Sequence, residues 1–341
     1  MRRRKFLSMS CLAVCSAPYG SRLLAQSPAQ SPSRTIQVSQ EGRRGHSVVS
    51  AVAINAAGTD VAAAGDDHMV RIWKVGEVAN TRSLRGHSDW VRGLTYSPDN
   101  RLLASGADDR SVIIWDATSG QSLRRIQLPA RTVYSLAFSA DSQQIAIAGF
   151  DSQVHVRSAE SGDEVRTLDC TCRDIRAVAW SPDGATLAAA GQDGKLLLWQ
   201  APSGQLLHTL TADRRRIRGV SFSPDSAQVA TAGEGRNIRV FDVAGGTELA
   251  HFEVRGGKLL SIEHCGQSTL ATGGSDNIIR LWNLKDNKES RQLAGHKGSI
   301  EALDYCTATS TLVSGSFDTT LNFWQLGGAN RTTLNPFRPI G

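Results

Sequence analysis

The 341-residue sequence predicts an all-β fold, and three observations carry that prediction. Short segments with alternating apolar and polar residues are separated by Ser, Asp and Gly turn clusters, which is the pattern of antiparallel strands. The composition of 32 glycines with only 6% aromatic residues suits many short strands better than long helices. The alternating segments also return at a fixed period, which is the mark of a repeat architecture.

The repeated unit reads as alternating segment, Ser-Pro-Asp turn, alternating segment, acidic turn, alternating segment, glycine turn and a last short strand. Clear copies begin at Val91, Ile175 and Ile217. The tryptophan position of the unit recurs at a spacing of 42 residues, with one spacing of 41; it is occupied by Trp73, Trp115, Arg157, Trp199, Phe241, Trp282 and Trp324. A single four-stranded unit cannot bury both of its faces, whereas units packed radially around an axis can. The sequence therefore predicts a seven-bladed β-propeller of four-stranded antiparallel blades over residues 35–326.

The ring needs an outer strand for its last blade, which contains Trp324. The segment RTIQVSQ (34–40) alternates and stands where every other unit carries its outer strand. We expect it to join that blade and close the ring. Residues 26–34 are expected to be a disordered polar linker, and residues 327–341 a C-terminal surface tail.

The N-terminus has the layout of an export signal, which we predict over residues 1–25. Arg3 and Arg4, followed by Lys, Phe and Leu, resemble the R-R-x-F-L core of twin-arginine signals. This resemblance implies a bacterial protein that is periplasmic or extracellular. Two alternatives are a lipid anchor on Cys15 and a basic tail on a cytoplasmic protein.

The formal net charge of +6 comes mostly from this N-terminal segment. Without its five basic residues, 33 basic residues face 32 acidic ones, so the body of the chain is close to neutral. A neutral body argues against binding to nucleic acid through counterion release. No later apolar run reaches 18 residues, so we expect no transmembrane helix.

Serine, histidine and aspartate lie close together in one unit as Ser105, His87 and Asp109, which are the residue types of a hydrolase triad. However, the aspartate returns six residues before the tryptophan position in six of the seven units, and Gly235 alone breaks the series. A catalytic group is needed once, so a set that recurs in successive blades indicates a folding device.

Seven units in register, three of them with an intact Gly-His pair (45–46, 86–87 and 295–296), resemble the WD-repeat (WD40) family. The family pattern implies a buried hydrogen-bonded tetrad of His, Ser or Thr, Asp and Trp. Two units have the full set: His87, Ser105, Asp109 and Trp115, and then His296, Ser314, Asp318 and Trp324. The unit with His46, Asp67 and Trp73 lacks only the hydroxyl. The resemblance implies interaction with a protein partner rather than catalysis, by a propeller that is a monomer within its complex.

The partner is expected on the face that carries the Gly-His loops. Residues outside the repeated core positions are expected to form two sides of this face. The aromatic side consists of Trp90, Phe150 and Phe317, and the basic side of Arg176, Arg216 and Arg218. Hot spots of binding are rich in Trp, Tyr and Arg, and exposed arginines favour encounter with acidic groups.

Two alternative functions remain: an enzyme with a site in the central channel, and a cytoplasmic signalling scaffold. The enzyme needs paired groups outside the repeat register, and its candidates are Glu234, Glu263, His264 and Glu301. We expect no cofactor and no metal. Only the second Asp of the pairs at 66–67 and 108–109 is in the repeat register, the first lies at a solvent-facing turn, and no G-x-x-x-x-G-K-S/T, H-E-x-x-H or C-x-x-C-H motif occurs. Cys170 and Cys172 form either a local disulfide or two thiols.

Overall fold

The computed structural model describes residues 29–38, 47–77, 79–129, 132–171 and 173–327. These residues form 28 strands in seven four-stranded antiparallel sheets, which confirms the seven-bladed propeller. Within these ranges every regular element is a strand. The expected signal (1–25) and all but the first residue of the C-terminal tail lie outside the described residues, as do His46 and Cys172.

Each blade uses four strands in chain order, from the central channel to the outer rim. Blade 1 consists of β2 (Val49–Ile54), β3 (Asp60–Gly65), β4 (Val70–Lys74) and β5 (Arg82–Leu84), and blade 2 of β6 (Val91–Tyr96), β7 (Leu102–Ala107), β8 (Ser111–Asp116) and β9 (Ser122–Gln127). Blade 3 consists of β10 (Val133–Phe138), β11 (Gln144–Gly149), β12 (Gln153–Ser158) and β13 (Glu164–Asp169), and blade 4 of β14 (Ile175–Trp180), β15 (Thr186–Gly191), β16 (Lys195–Gln200) and β17 (Leu206–Thr211). Blade 5 consists of β18 (Ile217–Phe222), β19 (Gln228–Gly233), β20 (Asn237–Asp242) and β21 (Glu248–Glu253), and blade 6 of β22 (Leu259–His264), β23 (Thr269–Gly274), β24 (Ile278–Asn283) and β25 (Lys288–Ala294).

Blade 7 combines the two ends of the repeat region. It consists of β26 (Ile300–Cys306), β27 (Thr311–Ser316), β28 (Thr320–Gln325) and, as its outer strand, β1 (Arg34–Gln37). The pairing is antiparallel, with Ile36 opposite Leu321, and it confirms the expected ring closure. Ile36 is buried there, so closure brings apolar surface into the core as well as backbone hydrogen bonds.

Residues 29–33, which fall within the linker expected over residues 26–34, make backbone contacts with the ring. The amide of Gln30 donates to the carbonyl of Gln292 at 3.0 Å, and its carbonyl accepts from Ala294 at 2.9 Å. The Ser33 amide donates to Phe323 at 2.8 Å. A polar composition did not prevent order, because an open strand edge supplied partners for the backbone groups.

The Ser-Pro-Asp turns fasten neighbouring blades to each other at the end of the ring opposite the Gly-His loops. In blade 2, the Ser97 hydroxyl donates to Asp99 at 2.6 Å, and Asn100 takes a left-handed conformation with φ of 63°. The Asn100 side chain then accepts the amide of Ala56 in blade 1 at 2.8 Å. The turn therefore serves both its own blade and the interface with the preceding one.

Candidate functional site

The candidate site is the face formed by the loops that precede the innermost strands and by the turns between the second and third strands, called here the Gly-His face. In blade 2 these two loops and the strands β7 and β8 bring four side chains together. Ser105 lies 2.7 Å from Nε2 of His87 and accepts the indole N–H of Trp115 at 2.8 Å. Nδ1 of His87 lies 3.0 Å from Asp109. The expected tetrad of blade 2 is therefore a continuous hydrogen-bonded chain.

The electrostatics of the tetrad determine which of its atoms carry protons. Burial opposes ionisation of Asp109, but hydrogen bonds from Ser111, the Ser88 amide and His87 outweigh it and lower the carboxyl pKa to about 2. Burial also lowers the pKa of His87, although Asp109 acts in the opposite direction. At neutral pH a neutral His87 thus donates from Nδ1 to the carboxylate, and Ser105 donates to Nε2. All the hydrogen-bonding atoms of the serine and the imidazole have partners within the tetrad.

Blade 7 repeats this geometry. His296 Nε2 lies 2.7 Å from Ser314, which accepts the Trp324 indole at 2.8 Å, and His296 Nδ1 lies 3.1 Å from Asp318. The carboxyl of Asp318 is partly buried, but hydrogen bonds from His296 and Thr320 hold its pKa well below its usual range. Blades 2 and 7 thus have the same device.

Other blades hold their turn aspartate in a way that the sequence analysis missed. Asp67 binds the guanidinium of Arg71 at 2.7 Å, and Asp276 binds Arg280 at 2.7 Å. Asp151 lies 3.1 Å from the ring of His155. In each case the basic residue follows the aspartate by four positions.

The register explains this substitution. Arg71 pairs across the sheet with Ala63, whereas the corresponding pair in blade 2 is Ile113 with Ser105. In these blades a basic side chain on the third strand thus supplies the partner of the turn aspartate, which the loop histidine supplies in blade 2. The signal Asp-x-x-x-Arg/His was present in the sequence and could have revealed these pairs.

The expected aromatic residues lie on the Gly-His face, and two of them are in contact. The rings of Trp90 and Phe317 have centroids 6.3 Å apart, although they belong to blades 2 and 7. The indole N–H of Trp90 donates to Ser50 at 2.8 Å, and the guanidinium of Arg92 lies 3.8 Å from its ring. Phe317 exposes 42% and Phe150 exposes 44% of their surface. Phe150 follows β11 in blade 3 as a separate exposed ring.

The expected basic side differs from what we predicted, because all three arginines have carboxylate partners within the chain. Arg176 binds Asp174 at 2.6 Å, and Arg216 binds the same carboxylate at 3.0 Å. Arg218 in blade 5 reaches Glu301 in blade 7 at 2.6 Å. The charges of these three arginines are therefore paired with carboxylates of the chain itself.

The central channel contains a cavity of about 460 Å³ lined by the innermost strands. Two carboxyl groups, Glu263 and Asp304, lie on neighbouring strands of its wall. Burial and the Asp304 charge raise the pKa of Glu263 well above its usual value, and burial raises the pKa of Asp304 to about 6. Glu263, one of the enzyme candidates, thus lies near a second buried carboxyl group whose charge opposes its ionisation.

The backbone holds the Asp304 carboxyl of this pair in place. Both oxygens of Asp304 accept backbone amides, from Ile54 at 2.7 Å and from Tyr305 at 2.9 Å. The other enzyme candidates are also separated: Glu234 binds Arg216 at 3.2 Å, and burial of the His264 ring lowers its pKa to about 4. The described groups thus explain structural contacts between blades better than general acid-base work.

Within the described ranges, no three His, Cys, Asp or Glu side chains are grouped as a metal site would require. The same part of the chain contains no helix with the length and apolarity that crossing a membrane demands.

Comparisons with known proteins show short similar segments in eukaryotic proteins. The chain is 38% identical over 56 residues to a U3 snoRNP-associated protein-like EMB2271 of Arabidopsis thaliana, which covers 16% of this chain and 12% of that protein. It is 37% identical over 60 residues to the ribosome biogenesis protein YTM1 of Eremothecium gossypii, covering 18% and 13%. It is 30% identical over 97 residues to periodic tryptophan protein 2 of Saccharomyces cerevisiae, covering 28% and 10%. The matches thus span about a tenth of the length of these relatives.

These relatives overturn the location that the N-terminus suggested. Their names refer to ribosome biogenesis and to a ribonucleoprotein, and both belong inside the cell. The prediction of a periplasmic or extracellular protein is therefore wrong. The basic and apolar composition of the N-terminal segment misled it, because a few residue types in short order are weak evidence for a targeting signal.

The family described as WD domain, G-beta repeat matches six segments, which together make up more than half of the chain: 37–74, 79–116, 120–158, 162–200, 204–242 and 287–325. The unmatched interval contains β22, β23 and β24, which nevertheless form the sixth blade with β25. On the repeats, the blades and the tetrads together, this chain belongs to the WD40 repeat family.

Proposed function

We propose that this propeller is a non-catalytic scaffold that docks a partner protein on its Gly-His face. The observation that carries the proposal is the contact between Trp90 and Phe317, an aromatic pair outside the packed core of the blades. Anchors of this kind concentrate binding energy in protein interfaces.

The Trp90 ring is already held in place in the unbound protein. Ser50 accepts its indole N–H and lies 2.7 Å from the Val91 carbonyl, while Arg92 lies over the ring and binds Asp108 at 2.8 Å. A rigid anchor loses little conformational entropy when a partner binds. Phe150 adds a separate exposed aromatic ring in blade 3.

The arginines have a supporting role in this proposal. Arg176 lies over the Tyr134 ring at 3.6 Å and binds Asp174, so it stabilises the loops of blades 3 and 4. The relatives' names refer to ribosome biogenesis and a ribonucleoprotein, and we infer that this chain also works within a large assembly.

The test compares affinity capture by the wild-type chain and by Trp90→Ala, with quantification of every captured protein. A partner of this face should be lost with Trp90→Ala and retained with Ser122→Ala, a control at an exposed position of the outer strand of blade 2. Its affinity for purified Trp90→Ala should fall by about 30-fold or more, the equivalent of about 2 kcal/mol. An unchanged set of proteins bound at unchanged affinity would refute this docking face.

A further inference from the structure

The Gly-His face of blades 4 to 6 carries exposed arginines that lie outside the ion pairs described above. They come from the loops before the innermost strands of these blades and from the turn between β19 and β20. Each is exposed, and its guanidinium group has no hydrogen-bond or ion-pair partner among the described residues: Arg173, Arg214, Arg215, Arg236 and Arg255. Five positive charges on this part of the face are thus available to a ligand.

An unbroken chain of ion pairs shows that these loops form one surface. Arg176 binds Asp174 in blade 4, and Arg216 of blade 5 binds the same carboxylate. Arg216 also binds Glu234 at 3.2 Å, and Lys258 of blade 6 binds Glu234 at 3.3 Å. The chain therefore connects blades 4, 5 and 6, and each of the exposed arginines lies within three residues of one of its members.

The carboxylates beside these arginines are already engaged within the protein. Each carboxylate in the loops and turns of the three blades has a partner in the chain: Asp174, Asp193, Asp213, Glu234 and Asp276. Asp213 is buried and accepts the amides of Arg214 and Arg215, which holds their loop in place. Glu253, exposed at the end of β21, is the one carboxylate of this surface without a partner among the described residues. One unpaired carboxylate against five unpaired arginines leaves the surface basic.

The same asymmetry is present in the sequence of the whole face. The loops and turns of blades 4 to 6 (170–176, 192–195, 212–218, 234–237, 254–260 and 275–278) contain ten basic and five acidic residues. The corresponding segments of the other four blades (44–50, 66–69, 86–92, 108–111, 128–134, 150–153, 295–301 and 317–320) contain five basic and eight acidic residues. One side of the Gly-His face is therefore basic and the other is acidic.

The residue types indicate the class of ligand. Guanidinium groups bind carboxylates through two parallel hydrogen bonds, whereas the bases of single-stranded nucleic acid need aromatic side chains to stack on. The loops and turns of blades 4 to 6 contain no Phe, Trp, Tyr or His. A phosphate backbone that continued across the face would also meet the acidic side, while a protein segment can be acidic over blades 4 to 6 alone. A partner protein with a cluster of carboxylates fits this surface best.

We propose that the exposed arginines of blades 4 to 6 bind an acidic segment of a partner protein, whose Asp and Glu side chains pair with the five guanidinium groups. This inference rests on the docking function proposed for the Gly-His face and adds the chemistry of the partner. The partner is acidic where it covers blades 4 to 6 and apolar where it meets Trp90 and Phe317. Its negative charge also speeds encounter with the basic side of the face.

The test measures the binding of synthetic peptides to the full chain by fluorescence anisotropy. One peptide alternates glutamate with serine, and its control has glutamine in place of glutamate. The glutamate peptide should bind at least about tenfold more tightly, and its affinity should fall as salt increases. Arg214→Gln with Arg215→Gln should weaken it by about fivefold or more. Arg101→Gln with Lys285→Gln removes the same charge from exposed turns at the opposite end of the blades and should change it by less than about twofold.

The same variants decide between this proposal and its competitors. The changed side chains are exposed, so each variant should melt with the wild type. Equal binding of the two peptides, or full affinity in the Arg214→Gln, Arg215→Gln variant, would overturn the proposal. Tighter binding of an oligouridine RNA with the same number of negative charges, weakened by the same arginine changes, would overturn it too, by making nucleic acid the occupant.

Affinity capture separates this inference from the docking proposal on which it rests. A partner that is lost with Trp90→Ala should also be captured less by the Arg214→Gln, Arg215→Gln variant, and more so as salt falls. If Trp90→Ala abolishes capture and the arginine changes do not, the acidic chemistry is wrong while the docking face stands. Loss of capture with the arginine changes alone would instead reject Trp90 as the anchor and retain the acidic partner.

Discussion

Replacement of Ser105 by alanine tests whether the tetrad is a folding device. The Ser105 hydroxyl is fully buried, accepts the Trp115 indole at 2.8 Å and lies 2.7 Å from His87 Nε2. Alanine leaves the indole N–H and the imidazole nitrogen without partners in a place that water does not reach. A buried unsatisfied group costs about 1–3 kcal/mol, so Ser105→Ala should lower the free energy of unfolding by about 2–4 kcal/mol.

A double-mutant cycle with Trp115→Phe makes the test specific. Phenylalanine has no N–H, so adding Ser105→Ala to it leaves only the imidazole nitrogen unsatisfied. The double variant should therefore be more stable, by about 1–3 kcal/mol, than the sum of the two single effects predicts.

The cycle is measured by urea unfolding followed by tryptophan fluorescence and circular dichroism. Ser122→Ala, at an exposed position of the same blade, is the control and should change stability by less than about 0.5 kcal/mol. Additive effects of the two tetrad changes would refute the hydrogen-bonded chain. Unchanged stability of Ser105→Ala with loss of a hydrolytic activity would restore the catalytic interpretation.

Two further predictions concern the channel and blade 1. Because the pKa of Glu263 is raised, the folded chain keeps a proton that the unfolded chain releases near pH 4.5. The contribution of this proton to the free energy of unfolding is therefore fully present below pH 4.5 and is lost as the pH rises towards the folded pKa. Glu263→Gln should abolish this loss of stability. In urea unfolding from pH 5 to 8, the stability of the variant relative to the wild type should therefore increase by up to about 1.4 kcal/mol per pH unit. Parallel stability-pH curves for the two proteins would contradict the raised pKa of Glu263. Arg71→Met leaves the Asp67 carboxylate, whose side chain is 9% exposed, without its ion-pair partner. It should lower the free energy of unfolding, measured by heat or urea, by about 3 kcal/mol or more. Adding Asp67→Asn to the same chain should restore part of that loss.

Local signals in the sequence were sufficient for the blades and the ring closure. The alternation of RTIQVSQ and its place before a Gly-His pair predict an outer strand, and Ile36 occupies the buried position that this alternation requires. The register of His87, Ser105, Asp109 and Trp115 likewise follows from a fixed period, because every blade folds in the same way.

Contacts between blades could not be read from the sequence. Arg218 and Glu301 are 83 residues apart and meet only because the ring brings blades 5 and 7 to one channel mouth. Leu207 and Leu249 are 42 residues apart, so their repetition is visible in the sequence. Only the backbone register shows that each lies at a β-bulge, which turns its side chain outwards. Long-range charge pairing and local backbone irregularity are properties of the folded ring.

Blade 5 shows what the repeated aspartate contributes to the fold. A Cβ at Gly235 would lie 1.9 Å from Oδ1 of Asp213, so the carboxylate of the preceding loop occupies the space of the missing side chain. Asp213 is buried and accepts the amides of Arg214 and Arg215 at 2.6 and 3.0 Å. The negative charge at the turn is thus retained while the residue that supplies it has moved to another loop. Because a histidine, an arginine or backbone amides satisfy this carboxylate in different blades, the constant requirement is an anion that ties loop to strand. Such interchangeability fits a structural role and is incompatible with the fixed geometry that catalysis demands.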